Sequence, residues 1–267
     1  MLYVQRSQLS ITSTGTHTMS SLLKVLVASL AALGMAQANA GILKVGVGAF
    51  TPAAGLITFS EFLGGTVNPT YLPATYGGGA GSPTVTFDGF FNGQSLGAGC
   101  GGAATGCVVG LGTTSNPLSL DATAPDTFIT DDGANPTTPV LSGSPRFNGP
   151  IAILFSNDQA GVGLDGGFFN AIGGTAITAF DRNGVELGSV KNEALGIEFL
   201  GLVTDDGSEK IAGLLFSLVG AEPAGFAIDN VRFGKTGEVI VPGVPEPASL
   251  ALLGLGLAGL GWSRRKA

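Results

Sequence analysis

Histidine, tryptophan and methionine are scarce in this chain of 267 residues, and the few copies lie close to its two ends. The one histidine is His17, the one tryptophan is Trp262, and the three methionines lie at or before Met35. Ser-His-Asp and Cys-His catalytic arrangements both need a histidine, so the central part of the chain cannot build either. Two cysteines without a histidine are also too few ligands for a zinc site.

Basic side chains are scarce too. Residues 41–243 carry seven lysines and arginines against eighteen acidic residues, a net charge of −11. Such a surface repels nucleic acid and anionic membranes, so we predict no nucleic-acid partner. Paired carboxylates for glycoside hydrolysis stay open in principle. However, the Asp-Asp pairs fall in turns and no acidic pair lies in an apolar strand, so we predict that the protein is not an enzyme.

The first forty residues contain the pattern of a Sec signal peptide at residues 19–40. A positive Lys24 precedes a short apolar run, and the small residues Ala38 and Ala40 form an A-x-A cleavage site. We therefore expect export by the Sec translocon and cleavage by signal peptidase after Ala40. Residues 1–18 are polar and do not fit this pattern, so we interpret them as a misassigned start, with a longer n-region as the alternative.

The last residues, 244–267, combine a proline motif, an uncharged stretch and a basic end. The uncharged stretch, residues 248–262, would make a helix of roughly 22 Å, which is shorter than the roughly 30 Å hydrocarbon core and therefore a weak anchor. The basic end should stay cytoplasmic by the positive-inside rule. The candidate motif residues are Pro245, Glu246, Pro247, Arg264, Arg265 and Lys266.

This order of Pro-Glu-Pro, Gly/Leu-rich helix and Arg-Arg-Lys resembles the PEP-CTERM sorting signal of Gram-negative bacteria, which is also labelled an ice-binding protein C-terminal domain. The resemblance implies recognition and cleavage by an exosortase near the proline motif. It also implies transient insertion in the inner membrane, followed by delivery to the cell surface or an exopolysaccharide matrix. An ordinary C-terminal membrane anchor is the alternative.

Between the two ends, residues 41–243 read as one domain of short strands. Runs such as "LITFS", "IAILF" and "TAITAF" are separated by turn sequences such as Asp181-Arg-Asn-Gly184, with almost no helical period. Many short strands with Gly/Pro turns predict an all-β, antiparallel sandwich of jelly-roll type, flanked by a signal-peptide helix and a C-terminal membrane helix. In an oxidising compartment Cys100 and Cys107 should form a disulfide, although a metal-binding pair is the rival interpretation.

The segment "GFAIDNVRFG" predicts an irregular strand. Phe226 and Ile228 share one face, whereas Val231 and Phe233 fall on the opposite phase, so we expect a β-bulge at Asp229-Asn230. The segment resembles the last strand of jelly-roll carbohydrate-binding modules, in which such an aspartate helps an acidic residue near the first strand to hold a structural Ca²⁺.

The acidic residue of this chain that matches is Glu61, and Ca²⁺ is the one cofactor that the resemblance implies. The alternative is an Asp229 that only accepts hydrogen bonds from neighbouring backbone N–H groups.

Tyr71 and Tyr76 lie in "NPTYLPATYGGG", which reads as a surface loop and makes them the candidates for stacking on a sugar; packing into the protein is the alternative. We predict a structural or adhesive exported protein that associates with exopolysaccharide. A carbohydrate-binding module is the alternative, and a secreted enzyme that works through carboxylates is a third.

Overall fold

The computed structural model describes residues 41–243 except 99, 101–103, 105, 113, 134–138 and 224. The predicted signal peptide, its cleavage site at Ala38 and Ala40, the membrane helix and the sorting residues from Pro245 to Lys266 lie outside the described residues. Within the described ranges, no helix is both long and apolar enough to cross a membrane.

Short β-strands make up the described part of the chain. In chain order they are β1 (Ile42–Val45), β2 (Gly55–Ile57), β3 (Thr70–Tyr71), β4 (Val85–Asp88), β5 (Ser95–Leu96), β6 (Val108–Val109), β7 (Thr127–Thr130), β8 (Val140–Gly143), β9 (Ile151–Gln159), β10 (Gly161–Phe169), β11 (Thr175–Phe180), β12 (Glu186–Lys191), β13 (Gly196–Thr204), β14 (Ile211–Leu218) and β15 (Ala227–Gly234). Two short 3-10 helices cover Val47–Ala49 and Pro73–Tyr76.

The strands form two main antiparallel sheets and a small β5–β6 pair. The first sheet has the order β1-β13-β10-β15-β8-β7, with β2 also paired to β15, and the second has the order β12-β11-β14-β9-β4-β3. From β9 onward almost every connection carries the chain from one sheet to the other. The predicted all-β antiparallel sandwich is therefore confirmed.

Aromatic side chains fill the space between the sheets. The alternation of side chains along each strand directs apolar residues to one face of each sheet. The apolar faces of the two sheets meet in one large cluster. Burying each phenylalanine stabilises the fold by roughly 1.5–3 kcal/mol relative to leaving it exposed. The fully buried rings of this cluster are Phe59, Tyr71, Phe87, Phe155, Phe169, Phe216, Phe226 and Phe233.

The predicted turn and disulfide are both present. In the β11–β12 hairpin Asp181 Oδ1 accepts hydrogen bonds from Asn183 N (2.9 Å) and Val185 N (2.8 Å), and Gly184 supplies the positive φ of 77° that the turn requires. Cys100 and Cys107 are joined by a disulfide with a Cα–Cα distance of 5.7 Å. Cys107 is itself part of the main core cluster, so the disulfide ties Cys100 to the core of the sandwich.

Candidate functional site

The β-bulge predicted at Asp229-Asn230 is confirmed. On β10, Gly163 pairs with Arg232 and Asp165 pairs with Asp229, so two steps on β10 face three steps on β15. Asn230 takes up the extra residue with a φ of 48°, in the left-handed region that asparagine tolerates. The bulge lets all four apolar residues on its two sides reach the core: Phe226, Ile228, Val231 and Phe233.

The Asp229 carboxylate is fully buried beside the bulge. Its Oδ1 accepts a hydrogen bond from Asn230 N at 2.7 Å, and Asn230 Nδ2 donates to Asp165 Oδ2 at 2.8 Å. On the side of β15 away from β10, Ile228 pairs with β8 and Val231 pairs with β2, so the neighbouring strand changes between these two residues. Asp229 therefore makes the backbone hydrogen bond of the simpler interpretation, and it lies where the sheet on that side passes from one neighbour to the next.

Glu61 is brought to the same place by β2. Because β2 pairs antiparallel with β15, the residues after Ile57 run towards Asp229, and Glu61 follows within this segment. Its Oε1 accepts hydrogen bonds from both Thr58 N and Thr58 Oγ1 at 3.0 Å, whereas its Oε2 is buried without a hydrogen-bond partner. One carboxylate oxygen of Glu61 thus has hydrogen-bond donors within the protein, and the other has none.

Tyr71 shows that the two carboxylates share one environment. Burial raises the pKa of the Tyr71 hydroxyl, and the nearby carboxylates of Glu61 and Asp229 raise this pKa further. The Tyr71 hydroxyl is also buried without a hydrogen-bond partner. The structure therefore places both carboxylates within electrostatic reach of the Tyr71 hydroxyl.

The chemistry of this cluster suits a hard cation. Ca²⁺ takes oxygen ligands from carboxylates, backbone carbonyls and water, and a buried carboxylate oxygen without a donor leaves a position for such a ligand. Among the described residues, no three His, Cys, Asp or Glu side chains are placed to hold a metal ion together. Glu61 and Asp229 would thus contribute two carboxylates, and neutral oxygens would have to complete the coordination.

The prediction that Tyr71 lies on a surface loop is wrong. Strand β3 pairs with β4, Tyr71 opposite Val85, and this pairing turns the ring into the core with no exposed surface. The ring packs edge-on against Phe59 and Phe87. A sugar therefore cannot stack on Tyr71 without unfolding this region.

Tyr76, the second candidate for sugar contact, lies beside a cleft. Its ring is half-buried against Phe233, and its hydroxyl donates a hydrogen bond to the Pro83 carbonyl. The cleft has a volume of about 260 Å³ and lies between residues 52–56, the glycine-rich loop 77–83 and the end of β15. Sequence reasoning missed three polar residues that line it, Gln159, Lys235 and Glu238.

Asp88 is an acidic group that sequence reasoning also missed. It ends the half-buried strand β4, and burial raises the pKa of its carboxyl, with further contributions from Asp126 and Asp121. Asp88 is a single acidic residue in its strand, so a search for acidic pairs in apolar strands does not detect it. The signal in the sequence was the alternation of "TVTFD", which places Asp88 next to buried residues.

Comparison with known proteins bears on the end of the chain. The family model of the PEP-CTERM protein-sorting motif matches residues 243–266. A solved mutant structure of a family 29 carbohydrate-binding module, from work on ligand recognition, is similar over 57% of this chain and 93% of that one. The identity is 12% and the TM-score is 0.24, which is too low to carry an argument. Comparison with curated proteins gave no match.

The motif match confirms the sorting signal predicted from the sequence. It implies an exported protein that exosortase sorts, with a transient membrane anchor before the protein reaches the cell surface or the extracellular space. The match begins at Gly243, where the described sandwich ends, so the sandwich is the part of the chain that the signal would deliver.

Proposed function

We propose that this protein is a non-catalytic structural or adhesive β-sandwich that exosortase delivers to the cell surface, where it associates with exopolysaccharide. The observation that carries the proposal is the sorting motif at residues 243–266, placed directly after the sandwich. A domain without its own activity fits a chain whose residues 41–243 contain no histidine and carry a net charge of −11.

A carbohydrate-binding module is the second candidate. The cleft beside Tyr76 favours it, because an aromatic side chain and polar groups line one concavity. A secreted enzyme acting through carboxylates is the third candidate. Asp88, with its raised pKa, is the residue at which such an activity would be tested.

The main proposal is tested by determining the two ends of the exported chain and the location of the protein in the cell. Mass spectrometry of the exported protein should find an N-terminus at Gly41 and a C-terminus close to Pro245-Glu246-Pro247. After cell fractionation the processed protein should co-purify with matrix polysaccharide. A variant with Pro245→Ala and Pro247→Ala should keep the same sandwich but retain its basic C-terminus in the inner membrane.

Two results would contradict this proposal. One is an intact Arg-Arg-Lys-Ala end on protein outside the inner membrane, because exosortase processing removes that end. The other is processed protein that separates completely from the polysaccharide, which would leave delivery in place and remove the matrix association.

We also propose that Glu61 and Asp229 hold a structural Ca²⁺. The support is the buried Glu61 Oε2 without a partner and the shared electrostatic effect of both carboxylates on Tyr71. When bound, the ion would neutralise the negative charges of the half-buried Glu61 and the buried Asp229 and so stabilise the junction between β2 and β15. A ligand that binds only the folded state stabilises it by about 2.7 kcal/mol at a hundredfold excess over Kd.

Chelation distinguishes calcium binding from simple hydrogen bonding. With calcium bound, EDTA should lower the melting temperature of the exported protein, and Asp229→Ala should abolish that dependence on EDTA. Asp165→Asn is a matched control, since Asp165 touches the same bulge through Asn230 Nδ2 and an asparagine oxygen can still accept that bond. A melting temperature that is indifferent to EDTA in the unmutated protein would reject the calcium site.

A further inference from the structure

The cleft next to the glycine-rich loop contains a buried acceptor that the protein leaves without a donor. Gln159 ends β9 and is 1% exposed, yet it lines the cleft, so it lies at the inner end. Its Nε2 donates to Asn157 O at 2.7 Å and to Asp158 O at 3.1 Å. These two bonds fix the orientation of the amide and leave Oε1 without a hydrogen-bond partner.

An unpaired buried acceptor is costly, about 1–3 kcal/mol, and this cost is relieved when a donor reaches it. The inner end of the cleft therefore favours a ligand that presents a hydroxyl or an N–H group. Because the bonds of Nε2 are already made inside the protein, the Gln159 side chain offers the ligand an acceptor and no donor.

The loop that forms one wall is held in place before any ligand arrives. Gly81 O accepts hydrogen bonds from Lys235 Nζ and from Asn157 Nδ2, the latter at 3.3 Å. The Tyr76 hydroxyl donates to Pro83 O and so joins the two ends of the loop. A wall tied at these points keeps the cleft open and lowers the ordering cost of binding.

The charges around the cleft select a neutral ligand. Its charged lining residues are Lys235 and Glu238, whose opposite charges leave the cleft no net charge to attract either a cation or an anion. Burial raises the pKa of Tyr76 to about 12, with Glu238 adding to the effect, so the phenol stays neutral at physiological pH. The net charge of −11 over residues 41–243 further disfavours anions.

The size and shape of the cleft limit its ligand to a single sugar-sized ring. The volume of about 260 Å³ lies just below the roughly 300–1,000 Å³ of pockets for drug-sized ligands. Tyr76 lines the cleft with an aromatic side chain, and Gln159 supplies the unpaired acceptor for a hydroxyl at the inner end. We propose that this cleft binds one neutral sugar unit, such as a residue of the matrix polysaccharide, a ligand class that rests on the proposed function.

The experiment titrates exported, processed protein with D-glucose, D-galactose, D-mannose and N-acetyl-D-glucosamine, using saturation-transfer NMR, with D-glucuronate as the charged comparison. We expect saturable binding of at least one neutral sugar and weaker binding of glucuronate. Ala53→Trp fills the cleft from an exposed position and should weaken binding at least tenfold. Leu63→Trp is the matched control, because Leu63 is 85% exposed and does not line the cleft.

Gln159→Met keeps the length of the side chain and removes the acceptor together with the two internal bonds of Nε2. It should therefore weaken binding by at least about three- to tenfold, the range of one neutral hydrogen bond. The Ala53 variant decides the case if Gln159→Met does not fold. No saturable binding to any neutral sugar, or equal binding by Ala53→Trp and Leu63→Trp, would overturn the inference. Correct processing and matrix location in that same protein would leave the proposed function standing.

Discussion

Two tyrosines separated by five positions should respond in opposite directions to the loss of their hydroxyl groups. The Tyr71 hydroxyl is buried without a hydrogen-bond partner, whereas the Tyr76 hydroxyl donates to Pro83 O. Phenylalanine keeps both rings and their edge-on contacts with Phe87 and Phe233. The pair of substitutions therefore isolates the hydroxyl groups from the packing.

The magnitudes follow from the state of each hydroxyl. Tyr71→Phe removes an unsatisfied buried polar group and should stabilise the fold by about 1–2 kcal/mol, because burying such a group costs about that much in protein mutational data. Tyr76→Phe removes a hydrogen bond and should destabilise the fold by about 0.5–1.5 kcal/mol. In a domain of this size each kcal/mol shifts the melting temperature by about 2–4 °C.

Differential scanning calorimetry of the exported protein measures both shifts, and EDTA should be present so that bound calcium does not contribute. Tyr71→Ala is the control for the ring itself and should cost about 3–5 kcal/mol, as for other large-to-small core substitutions. A loss of more than 1 kcal/mol in Tyr71→Phe would refute the reasoning, since the hydroxyl would then have a partner in solution.

Three further predictions concern the disulfide, a carboxyl and an amide. Cys100→Ser with Cys107→Ser should lower the free energy of unfolding by about 2–3 kcal/mol in denaturant titrations, and an unchanged midpoint would show that the short loop contributes nothing. Burial raises the pKa of Asp88, so its folded form holds a proton more tightly than its unfolded form. The charged Asp88 carboxylate thus destabilises the fold above the pKa of the folded form. This destabilisation disappears as the pH falls below the pKa of the unfolded form. Asp88→Asn should raise the melting temperature at pH 7 and have little effect on it at low pH. An equal rise in melting temperature at both pH values would contradict this prediction. Asn192, 1% exposed, uses its amide to donate to Ala171 O at 2.8 Å. Asn192→Asp should therefore cost about 3 kcal/mol or more at pH 7 and less in acid, as measured by urea unfolding at the two pH values.

Local features of the sandwich were predictable because their causes lie within a few residues. The turn at Asp181-Arg-Asn-Gly184 needs only an aspartate acceptor and a glycine with positive φ. The bulge at Asp229-Asn230 follows from a switch in the two-residue apolar period, which no regular strand can accommodate. The disulfide needed only two cysteines in an oxidising compartment, and the sorting motif is a contiguous pattern.

The positions of Tyr71, Glu61 and Gln159 were decided by the tertiary structure. Strand β3 has two residues, too few for a period to show which face is inside, so only its pairing with β4 reveals that Tyr71 is buried. Glu61 and Asp229 both act on the Tyr71 hydroxyl because β2 pairs with β15, a strand far away in the sequence. The cleft joins Gly81 to Lys235, which are 154 positions apart. Sequence patterns record the preference of each segment for strand or turn, whereas a site assembled from distant segments exists only once the sheets have paired and packed.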